Sequence, residues 1–124
     1  MKTKTADLTG RLLDWAVAQC ELMRDDYRDR GVLIHRIGYG HPMPDYSTDW
    51  AQGGPIIERE RLCVGYRHQL DPEYVPLLDP ATVCWTRTTA GGYLNCGPTP
   101  LIAAMRCFVA SKLGDEVDVP DELV

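Results

Sequence analysis

The chain has 124 residues, of which 44% are hydrophobic and 25% are charged. This length suits a single domain over residues 1–124, and the composition is typical of a globular protein and not of a disordered one. No run of about eighteen apolar residues occurs, so we expect no transmembrane helix. The N-terminal residues lack the apolar segment of a signal peptide, so we expect a cytoplasmic protein.

The net charge of −5 is concentrated at one end of the chain. Residues 1–113 carry 13 acidic and 13 basic side chains, and residues 114–124 carry the remaining five acids. The body therefore lacks the basic stripe that duplex nucleic acid requires, and binding to duplex nucleic acid is not expected. Valines alternate with acids in the tail, which predicts an edge segment that packs on this domain or on a sister subunit. A homo-oligomer is therefore one of the open alternatives.

The first predicted element is a helix at LTGRLLDWAVAQCEL (8–22). Asp7 or Thr9 can cap its start. The side chains expected to form its buried stripe recur at helical spacing: Leu8, Leu12, Leu13, Ala16, Val17 and Cys20.

Three later segments have the composition of strands: VLIHRIGY (32–39), RLCVGYRHQL (61–70) and VCWTRTT (83–89). In the second of these, apolar and aromatic side chains alternate from Leu62 to Leu70. The third is rich in residues that favour β-structure.

The stretch TDWAQGGPIIERE (48–60) predicts a second helix. With Gly54 near the N-cap and Pro55 in the first helical position, the following amides would face outward without partners. Such amides suit an anion, and glycines let a phosphate approach closely. The alternative is a glycine turn that only opens a helix, with Trp50 as a core or lid residue, because a double glycine is a weak motif.

Residues beside the glycines supply contacts that a nucleotide would use. Trp50 and Tyr46 can stack on a base. Asp49 and Gln52 can read its polar edges. These residue types favour a nucleotide-like ligand, without excluding the plain helix start.

The last predicted helix is PTPLIAAMRCFVASKLGDE (98–116). Thr99 is a favourable N-cap, Pro100 suits the first helical position, and Gly114 ends the helix. The predicted buried stripe contains Leu101, Ile102, Met105, Phe108, Val109 and Leu113. The elements together predict an α+β fold, with two to three helices packed on a small, mostly antiparallel sheet.

The start of this helix, NCGPTP, repeats the Gly/Pro chemistry of the preceding one. The two starts can converge on one pocket, where Arg59 or Arg61 and an inward-facing Arg106 would neutralise a phosphate. A capped helix also needs no ligand to explain it. The candidate ligand-binding residues are Tyr46, Thr48, Asp49, Trp50, Gln52, Gly53, Gly54, Arg59, Thr99 and Arg106.

Catalysis has weaker support in the sequence. The five cysteines include no CxxC pair, and we expect reduced thiols, with Cys20 and Cys107 in the core. Cys96 precedes a predicted helix, but no Cys–His signature accompanies it, and the His and Cys spacings do not match a zinc site. We assign no catalytic residue, metal or cofactor and favour a non-enzymatic protein.

Three blocks carry a resemblance to a known family: LTGRLLDWAVAQCE, YSTDWAQGGPIIERE and GPTPLIAAMRCFVASKLGDEVDVPDEL. Together they resemble a family of small bacteriophage proteins, domain of unknown function 2591, which includes the NinX-like proteins of lambdoid phages. The resemblance implies a phage or prophage accessory protein in the cytoplasm of the host bacterium. It supplies no catalytic residues.

The sequence therefore favours a binder of a small anionic, nucleotide-like ligand, which in a phage protein suits sequestration of a host defence signal. The alternative is a protein-interaction module that docks on a host or phage protein through its long loops and tail. A small hydrolase or transferase ranks below both, because no acid/base or nucleophile arrangement is present.

Overall fold

A computed structural model of the chain describes residues 1–24, 44–69, 72–73, 84–88 and 94–123. Three α-helices lie in these segments: α1 (Gly10–Leu22), α2 (Trp50–Glu60) and α3 (Pro100–Leu113). The same segments contain five β-strands: β1 (Lys2–Lys4), β2 (Leu62–Tyr66), β3 (Cys84–Thr88), β4 (Leu94–Gly97) and β5 (Glu116–Asp118). The predicted α+β class is confirmed. The predicted strand at 32–39 lies outside the described residues.

The strands form two antiparallel sheets. Strands β2, β3 and β4 are adjacent in that order, and β3 at the centre pairs Trp85 with Gly65 on one side and with Cys96 on the other. Strands β1 and β5 form a separate ribbon in which Lys4 lies opposite Glu116. The ribbon joins the two ends of the described chain.

The second predicted strand is shorter than the alternation of its side chains suggested. Strand β2 ends at Tyr66, and residues 67–69 form a 3-10 turn, so the prediction that the strand continues to residue 70 was wrong. The amide of Tyr66 donates to Oε1 of Gln69 at 2.8 Å, and its carbonyl accepts from the indole of Trp85 at 2.7 Å. Side-chain contacts of this kind compete with strand pairing, and hydropathy alternation does not report them.

Helix α3 is the central element, since it contacts the three-stranded sheet and both other helices. The ends of α3 agree with prediction: Thr99 occupies the N-cap position, and Gly114 follows the helix with a φ of 89°. Thr9 occupies the N-cap position of α1, but its side chain makes no capping hydrogen bond within the described residues. The Oγ1 of Thr99 accepts from the amide of Ile102 at 3.1 Å. Helices α1 and α3 pack together and supply five of the largest fully buried side chains of the core: Leu13, Val17, Met105, Phe108 and Val109.

Two of the thiols lie in this core. Cys20 and Cys107 are fully buried, as predicted, and burial raises the pKa of each to about 12. A protonated, buried thiol acts as a small apolar side chain. These two cysteines therefore serve packing.

The acidic tail packs on its own domain, which was one of the two predicted arrangements. Val117 and Val119 are buried and join the same core as α1 and α3. The hydroxyl of Thr5 donates to the carbonyl of Gly114 at 2.6 Å and fixes the point where the tail leaves α3. Removing the tail would therefore expose part of the core.

None of the helices in the described segments is long and apolar enough to cross a membrane.

Candidate functional site

Helix α2 begins earlier than its glycines and proline suggested. It starts at Trp50 with Asp49 as the N-cap, so Gly53, Gly54 and Pro55 are its fourth, fifth and sixth residues. The prediction that Gly54 and Pro55 open the helix was wrong. The amide of Gly53 already donates to the carbonyl of Asp49 at 2.9 Å. The Gly-Gly-Pro stretch therefore does not present a row of unpaired amides.

A network of side-chain hydrogen bonds explains the early start. Oδ1 of Asp49 accepts from the amide of Ala51 at 2.9 Å, and Oδ2 accepts from the side-chain amide of Gln52 at 3.0 Å. Oε1 of Gln52 accepts in turn from the amide of Asp45 at 2.8 Å. Hydrogen bonds from Gln52 and Ala51 lower the pKa of Asp49, which keeps it ionised at the helix start. Asp49 and Gln52, predicted to read a base edge, form this cap.

The sequence contained a signal for this cap. An N-cap side chain followed three residues later by Glu or Gln is the capping-box pattern, and Asp49 and Gln52 have that spacing. Pro55 stands in the sixth position, where it removes the hydrogen bond to the carbonyl of Ala51, and the helix nevertheless continues to Glu60. Glycine and proline, taken alone, gave the wrong boundary.

Gly53 is the point where α2 meets α3. A Cβ atom added to Gly53 would lie 2.6 Å from Cδ1 of Leu101 and closer still to the carbonyl oxygen of Tyr46. Leu101 belongs to the first turn of α3, so the first turns of the two helices are adjacent. The starts of the two helices therefore lie close together, and a packed leucine, not a cavity, fills their contact at Gly53.

Trp50 lies on the outer side of this junction. Its side chain is 56% exposed, so it is not the core residue of the alternative interpretation. A Cβ atom added to Gly54 would lie 3.8 Å from Cε3 of Trp50, which places the indole against the next turn of its own helix. Trp50 is therefore an exposed aromatic surface supported by backbone. Tyr46, which was also predicted to stack on a base, is buried, whereas Thr48 and Thr99 are exposed.

Arg59 lies at the other end of α2 and contacts α1. It lies nine positions after Trp50, which corresponds to about 14 Å along a helix. Its guanidinium donates to Oε1 of the buried Glu21 at 2.6 Å and to Oε2 of Glu60 at 3.0 Å. Burial alone would lower the pKa of Arg59, but the hydrogen bonds with the two glutamates outweigh burial and raise the pKa. This arginine joins helices in the structure.

Arg106 is also committed to protein acceptors. Its Nε donates to the carbonyl of Leu8 at 2.7 Å, and its Nη1 donates to the carbonyl of Cys96 at 2.8 Å. Burial lowers the pKa of Arg106, though an arginine stays charged at neutral pH. Arg106 points inward, and the groups it meets are backbone carbonyls of two other segments.

A buried carboxylate on α1 lies near the start of α2. Asp14 on α1 is only 5% exposed, and its Oδ1 accepts from the amide of Ser47 at 2.9 Å. Burial raises the pKa of Asp14, hydrogen bonding from Ser47 opposes the rise, and the charge of Asp45 adds to it. Its helical spacing from the buried Val17 and Glu21 was the available signal. Asp14 anchors the turn that leads into α2.

Two replacements of Asp14 should separate its hydrogen bond from its charge. Asp14→Ala leaves the Ser47 amide without its acceptor and should lower the free energy of unfolding by about 1–2 kcal/mol. Asp14→Asn keeps an acceptor oxygen and should stabilise the fold at neutral pH, because the ionised carboxylate is disfavoured there. That gain should shrink as pH falls through the raised pKa toward the ordinary pKa of an aspartate. Denaturant unfolding of both variants across this pH range tests the assignment, and a pH-independent Asp14→Asn effect would contradict it.

The comparisons with known proteins identify a family. Residues 4–112 match the family model described as Bacteriophage P22, NinX. A search of curated proteins found no match. The match extends over most of the chain, including α1, α2, α3 and the three-stranded sheet, and the chain belongs to this bacteriophage family.

Proposed function

We propose that this member of the phage NinX family is a non-enzymatic binder of a small anionic, nucleotide-like ligand, and that it sequesters such a ligand in the host cytoplasm. The observation that carries the proposal is the junction of α2 and α3. There the first turns of two helices meet beside an exposed tryptophan.

Trp50 supplies the surface for a base. Its indole rests against its own helix and is 56% exposed. Stacking of a base on an aromatic side chain is worth about 1–3 kcal/mol and tolerates every base. An exposed, supported tryptophan is therefore a suitable platform for a nucleobase.

The first turn of α3 supplies the place for a phosphate. Asp49 keeps negative charge at the start of α2, so an anion is favoured on the α3 side of the junction. The positive end of the α3 dipole lies there. Oγ1 of Thr99 accepts from the Ile102 amide, and the hydroxyl proton remains able to donate to a phosphate oxygen. In this arrangement the ligand is held without displacing Arg59 or Arg106 from their protein acceptors.

A thermal-shift screen with nucleotides and cyclic dinucleotides tests the proposal. A ligand present at about 100 times its Kd should add about 2.7 kcal/mol to the free energy of unfolding and raise the melting temperature. Trp50→Ala should abolish the rise, and so should Gly54→Val, whose branched side chain would displace the indole. Tyr66→Ala is the matched control, because Tyr66 is also an exposed aromatic residue (48%). Absence of a shift across the whole set would reject the proposal.

The second candidate is a protein-interaction module. It is favoured by the same exposed Trp50, because Asp45 and Asp49 beside it suit a basic side chain of a partner. Truncating the tail cannot test this candidate, since Val117 and Val119 belong to the core. A pull-down with wild-type, Trp50→Ala and Tyr66→Ala proteins is the better test. Loss of one host or phage partner with Trp50→Ala alone, with no nucleotide-dependent melting shift, would favour the module over the ligand binder.

A further inference from the structure

A cavity of about 290 Å³ lies away from the α2–α3 junction. It is bordered by the end of β1 and the 3-10 turn Thr5–Asp7 that follows it, by β4, and by the start of β5 with the residue before it. Its lining consists of Lys4, Thr5, Ala6, Asn95, Asp115 and Glu116. None of these residues belongs to the junction of the proposed function.

The wall of the cavity is held by hydrogen bonds. The amide of Thr5 donates to the carbonyl of Asp115 at 2.7 Å, and the hydroxyl of Thr5 donates to the carbonyl of Gly114 at 2.6 Å. Thr5 itself is 2% exposed. Asn95 is fixed on β4 by pairing with Thr86 of the central strand. The cavity is therefore formed by paired backbone segments, as preformed ligand sites are.

The charges around the cavity are of both signs. Lys4 lies opposite Glu116 in the β1–β5 ribbon, and Asp115 is the residue before β5. The side chains of these three residues are exposed at the rim, and the half-buried Asn95 adds an amide. A simple anion would meet two carboxylates, and a simple cation would meet an ammonium group. A small molecule that carries both charges can satisfy both sides at once.

We propose that this cavity binds a small zwitterion of the α-amino acid class. The carboxylate of the ligand pairs with the Lys4 ammonium and accepts from the Asn95 amide. Its ammonium group donates to the carboxylates of Asp115 and Glu116. The cavity volume lies just below the range for drug-sized ligand pockets, which suits a smaller molecule such as an amino acid.

The test is titration of the full chain with individual amino acids, followed by two-dimensional amide NMR. The probes are glycine, L-serine, L-glutamine and L-arginine. At least one should give saturable shifts at residues lining the cavity. Acetate and n-butylamine, which each carry one of the two charged groups, should bind at least about tenfold more weakly, because each loses a charged hydrogen bond.

Variants of the ribbon supply the matched control. Lys4→Gln and Glu116→Gln should each weaken binding about tenfold or more. Lys2→Gln removes the same charge from the same strand, opposite Asp118 and outside the cavity lining, and should leave binding unchanged. The proposal is overturned if no amino acid gives saturable shifts, if n-butylamine or acetate binds as tightly as the amino acids, or if Lys2→Gln weakens binding as much as Lys4→Gln.

Discussion

Replacing Arg59 with methionine is expected to lower the free energy of unfolding by about 3 kcal/mol or more. Glu21 is 5% exposed, and its two carboxylate oxygens accept from the Arg59 guanidinium. Among the described residues, this buried carboxylate would then keep Arg24 as its partner, at 3.1 Å. The variant also loses the contact of the guanidinium with the ring of Phe108, whose centroid is 5.5 Å away. Denaturant unfolding measures the loss.

A second substitution shows whether the uncompensated charge is the cause. Glu21→Gln in the Arg59→Met background removes the buried charge, so the double variant should be more stable than Arg59→Met alone. Arg11→Met is the control for an exposed arginine on α1 and should change stability by less than about 0.5 kcal/mol. If Arg59→Met behaves like Arg11→Met, the Glu21–Arg59 pair does not contribute as described.

Gly53→Ala is expected to destabilise the fold by about 2–3 kcal/mol, at the upper end of the usual cost of overpacking. The added Cβ would meet Cδ1 of Leu101 and the carbonyl oxygen of Tyr46. The leucine side chain can move, but a backbone carbonyl in the turn before α2 moves less readily. The clash would separate the first turns of α2 and α3. The measured quantity is the free energy of unfolding by denaturant.

Gly54→Ala is the matched control, because the two glycines are neighbours in one helix. A Cβ on Gly54 would make only an ordinary contact, 3.8 Å from Trp50. Alanine is about 1 kcal/mol more favourable than glycine inside a helix, so this variant should be neutral or more stable. If Gly53→Ala and Gly54→Ala destabilise the fold equally, the close contact at position 53 is not what requires glycine there.

The parts of the fold that were predicted from the sequence have local signals. Helix α3 begins and ends as predicted because Thr99, Pro100 and Gly114 act on their own backbone. The buried stripe of α1 follows from the spacing of its leucines and valine. Strand β3 follows from residues that favour a pleated, half-buried surface.

The parts that were not predicted depend on contacts between distant segments. Strands β1 and β5 pair across more than a hundred residues, and neither strand shows its partner in its own sequence. The buried partner of Arg59, Glu21, and the carbonyls that Arg106 meets lie on other segments of the chain, so the sequence alone did not show that these two cations are already bound. The start of α2 was the exception, since the spacing of Asp49 and Gln52 was visible and the glycines were given more weight.

Isothermal titration calorimetry tests the central claim most directly. Wild-type and Trp50→Ala proteins are titrated with nucleotides and cyclic dinucleotides under identical conditions. The proposed function predicts saturable binding of at least one of them by the wild type, weakened about tenfold or more by Trp50→Ala, in a variant that unfolds like the wild type. No binding across the set, or equal affinity of the two proteins, would contradict the claim that a nucleotide-like ligand is held at the junction of α2 and α3.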